Sequence, residues 1–258
     1  MLIAHISDFH IATHLPDTGL VRTDVADCAR RIVADINAFS PAIDAVMLTG
    51  DVTDGGTDED YALLAGILAP LKMPVFPIAG NHDSRDGFRR AHEGRLPFAR
   101  AGALDYEGRV GDVRVLTLDS LIEGKVEGEL SDATLDWLEA RLAEPHDGPT
   151  FLLIHHPPFL SGIHGLDVMS LTGGGERLAR LVRACPGDLT LLSGHIHRAY
   201  QGIWQGRLCA VGGSPAFQIA PDLTPGAEPP PLVDESYGYF IHRLEDEYHS
   251  VLRRELPL

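Results

Sequence analysis

Five short apolar runs, LIAHI, AVMLT, VFPIA, TFLLI and LTLLS, each run into a cluster of Asp, Asn or His. The clusters are Ser7-Asp8-Phe9-His10, Gly50-Asp51, Gly80-Asn81-His82-Asp83, His155-His156-Pro157-Pro158 and Gly194-His195-Ile196-His197. Apolar runs of this length, bounded by Gly and polar residues, read as buried strands. A parallel sheet lines up the carboxyl ends of its strands, and ligands bind there. The clusters are therefore expected to converge on one spot, a metal site built from oxygen and nitrogen donors.

Helical patterns lie between the runs. Val25, Cys28, Ile32 and Ile36 within 22–38, and Tyr61, Leu64, Leu68 and Leu71 within 58–71, recur at helical spacing. A third helix over 131–143 has Ser131 as its N-cap and Leu135, Leu138 and Leu142 on its inner face, and a fourth covers 176–184. Residues 103–118 read as a hairpin turning at Gly111-Asp112. Strands alternating with helices over the first 200 residues predict an α/β fold. After His197 the pattern changes to strands alone, 199–204, 207–212, 237–244 and 248–254, which are expected to complete a second sheet stacked on the first. The Pro/Gly-rich stretch 213–236 between them reads as a long loop, and loops of that length are functional or disordered. A single domain over 1–258 is expected.

Charge narrows the partners. The chain carries 37 acidic and 21 basic side chains, a formal net charge of −16, with no basic run or stripe. Nucleic-acid binding rests largely on Lys and Arg neutralising phosphates, so a polyanionic partner is disfavoured. A small phosphate ester stays open, because bound cations invert the local charge. No segment approaches the roughly 20 apolar residues of a membrane span, and no signal peptide is apparent. Cys28, Cys185 and Cys209 are few and scattered, which fits small buried residues in a reducing cytoplasm better than a disulfide framework.

Imidazole and carboxylate donors suit Mn, Fe, Co or Zn, and the lack of clustered thiolates disfavours a structural zinc site. Asp8/His10 and His195/His197 each skip one residue, so on extended backbone both members of a pair would point the same way. Two such pairs together with GD and GNHD form a specific pattern. In it the chain resembles the calcineurin-like metallophosphoesterase superfamily from Asp8 to His197. That resemblance implies a four-layer α/β/β/α sandwich of two stacked mixed sheets. It also implies two divalent or trivalent metal ions: one held by Asp8, His10, Asp51 and His197, the other by Asp51, Asn81, His155 and His195. A hydroxide bridging the ions would attack phosphorus in line with the leaving group. Asn81 and His82 would face the substrate, His82 would protonate the leaving oxygen or stabilise the transition state, and Asp83 would orient His82 or else cap the following helix. His156 is then a supporting residue.

Within the superfamily, SDFH, GDVTDGGTDEDY, GNHDSR and LIHHPPF are similar to class III cyclic-nucleotide phosphodiesterases and to glycerophosphodiesterases. GGSPAFQIAPDL resembles a segment of the latter, with Phe217 where some members carry His. The implied activity is hydrolysis of a small phosphodiester, a 3′,5′-cyclic nucleotide or a glycerophosphodiester, by a homo-oligomer. A phosphomonoesterase and a metal-free scaffold are the alternatives. His5 reads as a core histidine; His14, His92, His146, His164, His242 and His249 read as surface or loop residues, His164 having the best claim to face substrate. Gly173-Gly174-Gly175 is open to two readings, a phosphate cradle or a helix-entry loop. Arg22, Arg85 and Arg198 are open to phosphate contact or solvation.

Overall fold

The computed structural model describes residues 1–15, 18–226, 231–246 and 248–257. The chain runs β1 (Leu2–Ile6), α1 (Val25–Ala38), β2 (Ala45–Thr49), α2 (Asp58–Leu68), β3 (Val75–Ile78), α3 (Arg85–Ala91), β4 (Tyr106–Val110) and β5 (Val113–Leu118). It continues through β6 (Gly128–Glu129), α4 (Asp132–Ala143), β7 (Thr150–Ile154), α5 (His164–Asp167), β8 (Leu171–Gly173), α6 (Gly175–Ala184) and β9 (Leu189–Ser193). Strands then follow: β10 (Tyr200–Trp204), β11 (Arg207–Val211), β12 (Gln218–Ile219), β13 (Leu232–Val233), β14 (Tyr237–Glu245) and β15 (Tyr248–Leu256).

The strands form two main sheets, ordered β15-β14-β1-β2-β3 and β10-β11-β9-β7-β5-β4. Alternation along each strand sorts its side chains into layers. Ala4, Ile6, Val46 and Leu48 face α1 and α2, whereas Ile3, Ala45 and Met47 face the other sheet. In β7, Phe151 and Leu153 turn toward the first sheet, while Leu152 and Ile154 lie under α4 and α6. The result is the four-layer α/β/β/α sandwich. Burial on both faces explains why these strands read as unbroken apolar runs.

Three sequence expectations are corrected. The five motif strands do not share one sheet: β1, β2 and β3 lie in the first, β7 and β9 in the second. The strands after His197 do not complete a single sheet either. The hairpin β10–β11 extends the second sheet and β14–β15 extends the first, because β11 pairs with β9 and β14 pairs with β1. His242 is also no surface residue. It sits opposite Ile3 in the β14–β1 ladder and is fully buried between the sheets. The Pro/Gly-rich stretch contains the short β12–β13 pair, and its residues 227–230 lie outside the described residues. All three cysteines are free and buried.

Local chemistry sets the helix starts. Thr57 and Asp60 form a capping box on α2, Ser84 accepts from Gly87 N on α3, and Ser131 accepts from Thr134 N on α4.

Candidate metal centre

The carboxyl ends of β1, β2, β3, β7 and β9 meet across the two sheets, and all the ligand clusters lie there. Asp8 and His10 do not stand on extended backbone, so strand alternation is not what aligns them. Asp8 (φ +54°), His10 (+46°), Asp51 (+46°), His195 (+73°) and His197 (+54°) are all left-handed. Such residues cost about 1–3 kcal/mol each and persist where the surroundings over-determine them. Here the two exit loops are laced together: Asp8 N donates to Gly50 O at 3.0 Å and His10 N to Asp51 O at 2.9 Å. The motif glycines are matters of space. A Cβ on Gly80 would overlap Asp51 Oδ1, one on Gly194 would overlap Ser7 Oγ, and one on Gly50 would overlap His155.

Donor atoms of Asp8, His10, Asp51 and His197 lie within 4.8 Å of one another, all buried. His197 Nε2 is 3.1 Å from His10 Nε2 and 3.6 Å from Asp8 Oδ1. A second group gathers on the far side of Asp51. Asn81 Oδ1 lies 3.2 Å from His155 Nε2 and 3.0 Å from His195 Nδ1. Asp51 joins the two, its Oδ2 3.6 Å from His10 Nε2 and 3.3 Å from His155 Nε2.

Each of these histidines is anchored by its outer ring nitrogen. His10 Nδ1 bonds Asp54 Oδ1 at 2.9 Å; His155 Nδ1, His195 Nε2 and His197 Nδ1 face the carbonyls of Thr49 (2.8 Å), Met169 (2.9 Å) and Phe217 (3.3 Å). A carbonyl only accepts, so the outer nitrogen carries a proton, and the inner one offers its lone pair whenever the ring is neutral. That arrangement is how metal-binding imidazoles are held. When both rings are neutral, His10 and His197 direct two lone pairs at each other across 3.1 Å. A cation between them turns that repulsion into attraction, so the donor set fits metal ions.

Burial works against charge on Asp51, yet His155 and His10 beside it hold its carboxyl well below the usual range. Burial likewise opposes charge on His82, but its bond to Asp54 and the nearby charge of Asp51 raise it to about 9.

His82 is not held by Asp83, which corrects the role given to that residue. Its Nδ1 meets Asp54 Oδ1 at 3.1 Å. Asp83 is buried and accepts from Gly80 N, Val52 N, Thr53 N, Thr53 Oγ1 and Tyr61 OH, stitching the GNHD turn to the GD turn. It does not cap α3 either, since Ser84 does. Asp54, which sequence reasoning left out of the site, orients both His10 and His82. Its only signal was its place three residues after Asp51.

His156 joins a histidine triplet with His155 and His195, but both its ring nitrogens are engaged, by Ser120 Oγ at 2.8 Å and Val126 O at 3.0 Å. His164 is exposed at the start of α5. Arg22 pairs with Asp24, Arg85 with Asp119 and Arg198 with Glu235. Gly173 and Gly174 have packing reasons to be glycine, since a Cβ would meet Glu129 Cγ or Leu130 O at 2.6 Å.

Residues 1–199 match the calcineurin-like phosphoesterase family model. The chain is 35% identical over 231 residues to a probable glycerophosphodiester phosphodiesterase GpdQ of Arcobacter nitrofigilis, covering 88% of this chain and 83% of that one. It is 28% identical over 256 residues to the 3′,5′-cyclic adenosine monophosphate phosphodiesterase CpdA of Escherichia coli, covering 95% and 90%. A dimetal phosphatase from Danio rerio superposes with a TM-score of 0.74 at 15% identity, over 98% of this chain and 96% of that one.

Proposed function

The chain belongs to the calcineurin-like phosphoesterase family, and from that premise we propose that it hydrolyses a small phosphodiester at a centre of two metal ions. It is a metal-dependent phosphodiester hydrolase; the substrate, the number of ions and the role of each residue are our reading. The observation that carries it is Asp51, whose one carboxylate adjoins both donor groups. Asp8, His10 and His197 would complete one shell, and Asn81, His155 and His195 the other. Mn, Fe, Zn or Co would suit these donors. Such ions supply Lewis-acid stabilisation of phosphoryl charge and activation of water.

The chain's own contribution is positional and protic. Asp54 holds His82 at the open side of the centre, where its side chain is 33% exposed. Its free Nε2 would give a proton to the leaving oxygen or bond a phosphoryl oxygen. Asn81 would address substrate from the same side. Since Arg22, Arg85 and Arg198 each face a carboxylate, charge at the phosphate would be met by the ions and His82.

The relatives named for glycerophosphodiesters and for cyclic AMP support a diester over a monoester. The test is kcat/KM of Mn²⁺-loaded protein for 3′,5′-cAMP, glycerophosphoethanolamine and 5′-AMP in parallel, with metal analysis of the same samples. One of the diesters should be preferred, with two ions per chain. Preference for 5′-AMP would replace the reading with a phosphomonoesterase; no metal uptake would leave a scaffold. The reading extends to a cytoplasmic protein that binds no nucleic acid, supported by buried free cysteines and the acidic charge, and to a homo-oligomer as the family resemblance implies. Among the described residues no helix is long and apolar enough to cross a membrane.

A further inference from the structure

The imidazole of His197 lies flat against the ring of Phe217, with centroids 3.7 Å apart and planes 19° from parallel. The carbonyl of the same residue accepts from His197 Nδ1 at 3.3 Å. The ring limits the tilt of the imidazole and the carbonyl limits its rotation, which leaves Nε2 directed at His10 Nε2 and Asp8 Oδ1. His197 stands on left-handed backbone, so this placement is one the chain would not adopt by default.

The loop that carries Phe217 is itself tied down. Ser214 Oγ donates to the backbone carbonyl of Asp8 at 2.7 Å and accepts from Ala216 N at 2.9 Å. Gln218 Nε2 bonds Ser214 O, and Ala216 O accepts from Arg22 N at 3.1 Å beside the start of α1. Phe217 packs against two apolar clusters, one containing Val21, Val25 and Ala216 and one containing Ile196, Val211 and Ile219. It also lines a cavity of about 620 Å³ with Leu20, Arg22, Leu232 and Tyr237. Loss of the ring would therefore open space beside His197. Within the centre the ring stacks on His197 and is tilted toward His10, with ring centroids 5.6 Å apart. His155 and His195 pack against each other and His156 instead.

We propose that Phe217 is a positioning residue for one of the two donor sets. Its ring and carbonyl preset His197, and through Ser214 the same loop presets Asp8, so that Asp8, His10, Asp51 and His197 receive a divalent cation with little rearrangement. This inference rests on the metal-centre reading above.

The test is Mn²⁺ binding by calorimetry to chelator-stripped wild type, Phe217→Leu and Phe217→Tyr. Leucine keeps the apolar bulk without the flat face, and tyrosine keeps the face. Wild type should bind two ions. Phe217→Leu should weaken one of them about tenfold or more, the low end for losing a partner of a metal ligand, and leave the other unchanged. Phe217→Tyr should restore both. The effect should persist in an Asn81→Ala background, where the other donor set is crippled. Ser214→Ala, which removes one hydroxyl, should weaken the same ion and decides the matter if Phe217→Leu does not fold. Wild-type affinity in the Leu and Ser214→Ala variants, equal weakening of both ions, or failure of Tyr to rescue would overturn the proposal and leave the metal centre standing. A wild type that binds no Mn²⁺ would overturn the centre itself and this inference with it.

Discussion

Asp54 and Asp83 are both carboxylates beside the centre, and their surroundings give them different tasks. Asp54 touches two imidazoles and no backbone donor of the turn; Asp83 gathers five backbone and hydroxyl donors and no imidazole. Asp54→Ala should therefore act on catalysis, lowering kcat/KM at least roughly tenfold as expected for an orienting partner. Asp83→Asn turns an amide N–H₂ toward donors and should cost about 1–3 kcal/mol of stability, measured by urea unfolding. If Asp83→Asn instead halted turnover in a fully stable protein, the stitching role would be wrong. His82→Ala should slow diesters with poor leaving groups more than activated aryl diesters; equal losses would mean that His82 only positions substrate. The donor types at Asp8, His10, Asp51, Asn81, His155, His195 and His197 were legible in the chain because each belongs to a short motif. Asp54 was not, because its partners His10 and His82 come from two other loops.

Whole elements were legible where local chemistry and periodicity agree. The Ser131 cap and Leu135/Leu138 face mark α4, and the Tyr61/Leu64/Leu68 spacing marks α2, whose start the structure closes with the capping box of Thr57 and Asp60. Thr57→Ala should destabilise by about 1 kcal/mol, the usual cost of an N-cap, read as a lower urea midpoint with wild-type metal content. A loss of bound metal would show that the cap also shapes the neighbouring GD loop. The short α3 was expected only as the helix that Asp83 could cap, without bounds, because seven residues give too little periodicity to separate from a loop. β14 and β15 were legible as strands, but their sheet was not. A strand's pattern reports which residues are buried and says nothing of which edge it joins.

The two-sheet sandwich encloses groups that matter to stability as a whole. His5 and His242 lie between the sheets, their rings 5.8 Å apart, and His242 Nδ1 meets His249 Nε2 at 2.9 Å. Burial lowers His5 to about 3 and holds His242 well below its ordinary value. Both are thus neutral in the folded protein and titrate near 6.5 when it unfolds. The unfolded chain binds more protons below that point, so stability from these groups is full above pH 6.5 and is lost progressively as pH falls toward about 3. His242→Phe, flanked by Phe151 and Phe240, should flatten this loss by up to about 1.4 kcal/mol per pH unit. Urea unfolding of stripped protein between pH 6.5 and 4.5 measures it, and parallel wild-type and variant curves would refute it.

By itself the sequence determined the candidate ligand residues, the strands that end in them and the family to which the chain belongs, because each is written in residues adjacent along the chain. Only the tertiary structure decided that the motif strands divide between two sheets, that Asp54 rather than Asp83 holds His82, and that Phe217 backs His197. Those relations join residues far apart in the chain, and Phe217 meets His197 partly through its backbone carbonyl. Every residue has such a carbonyl, so only packing can say which one faces the centre.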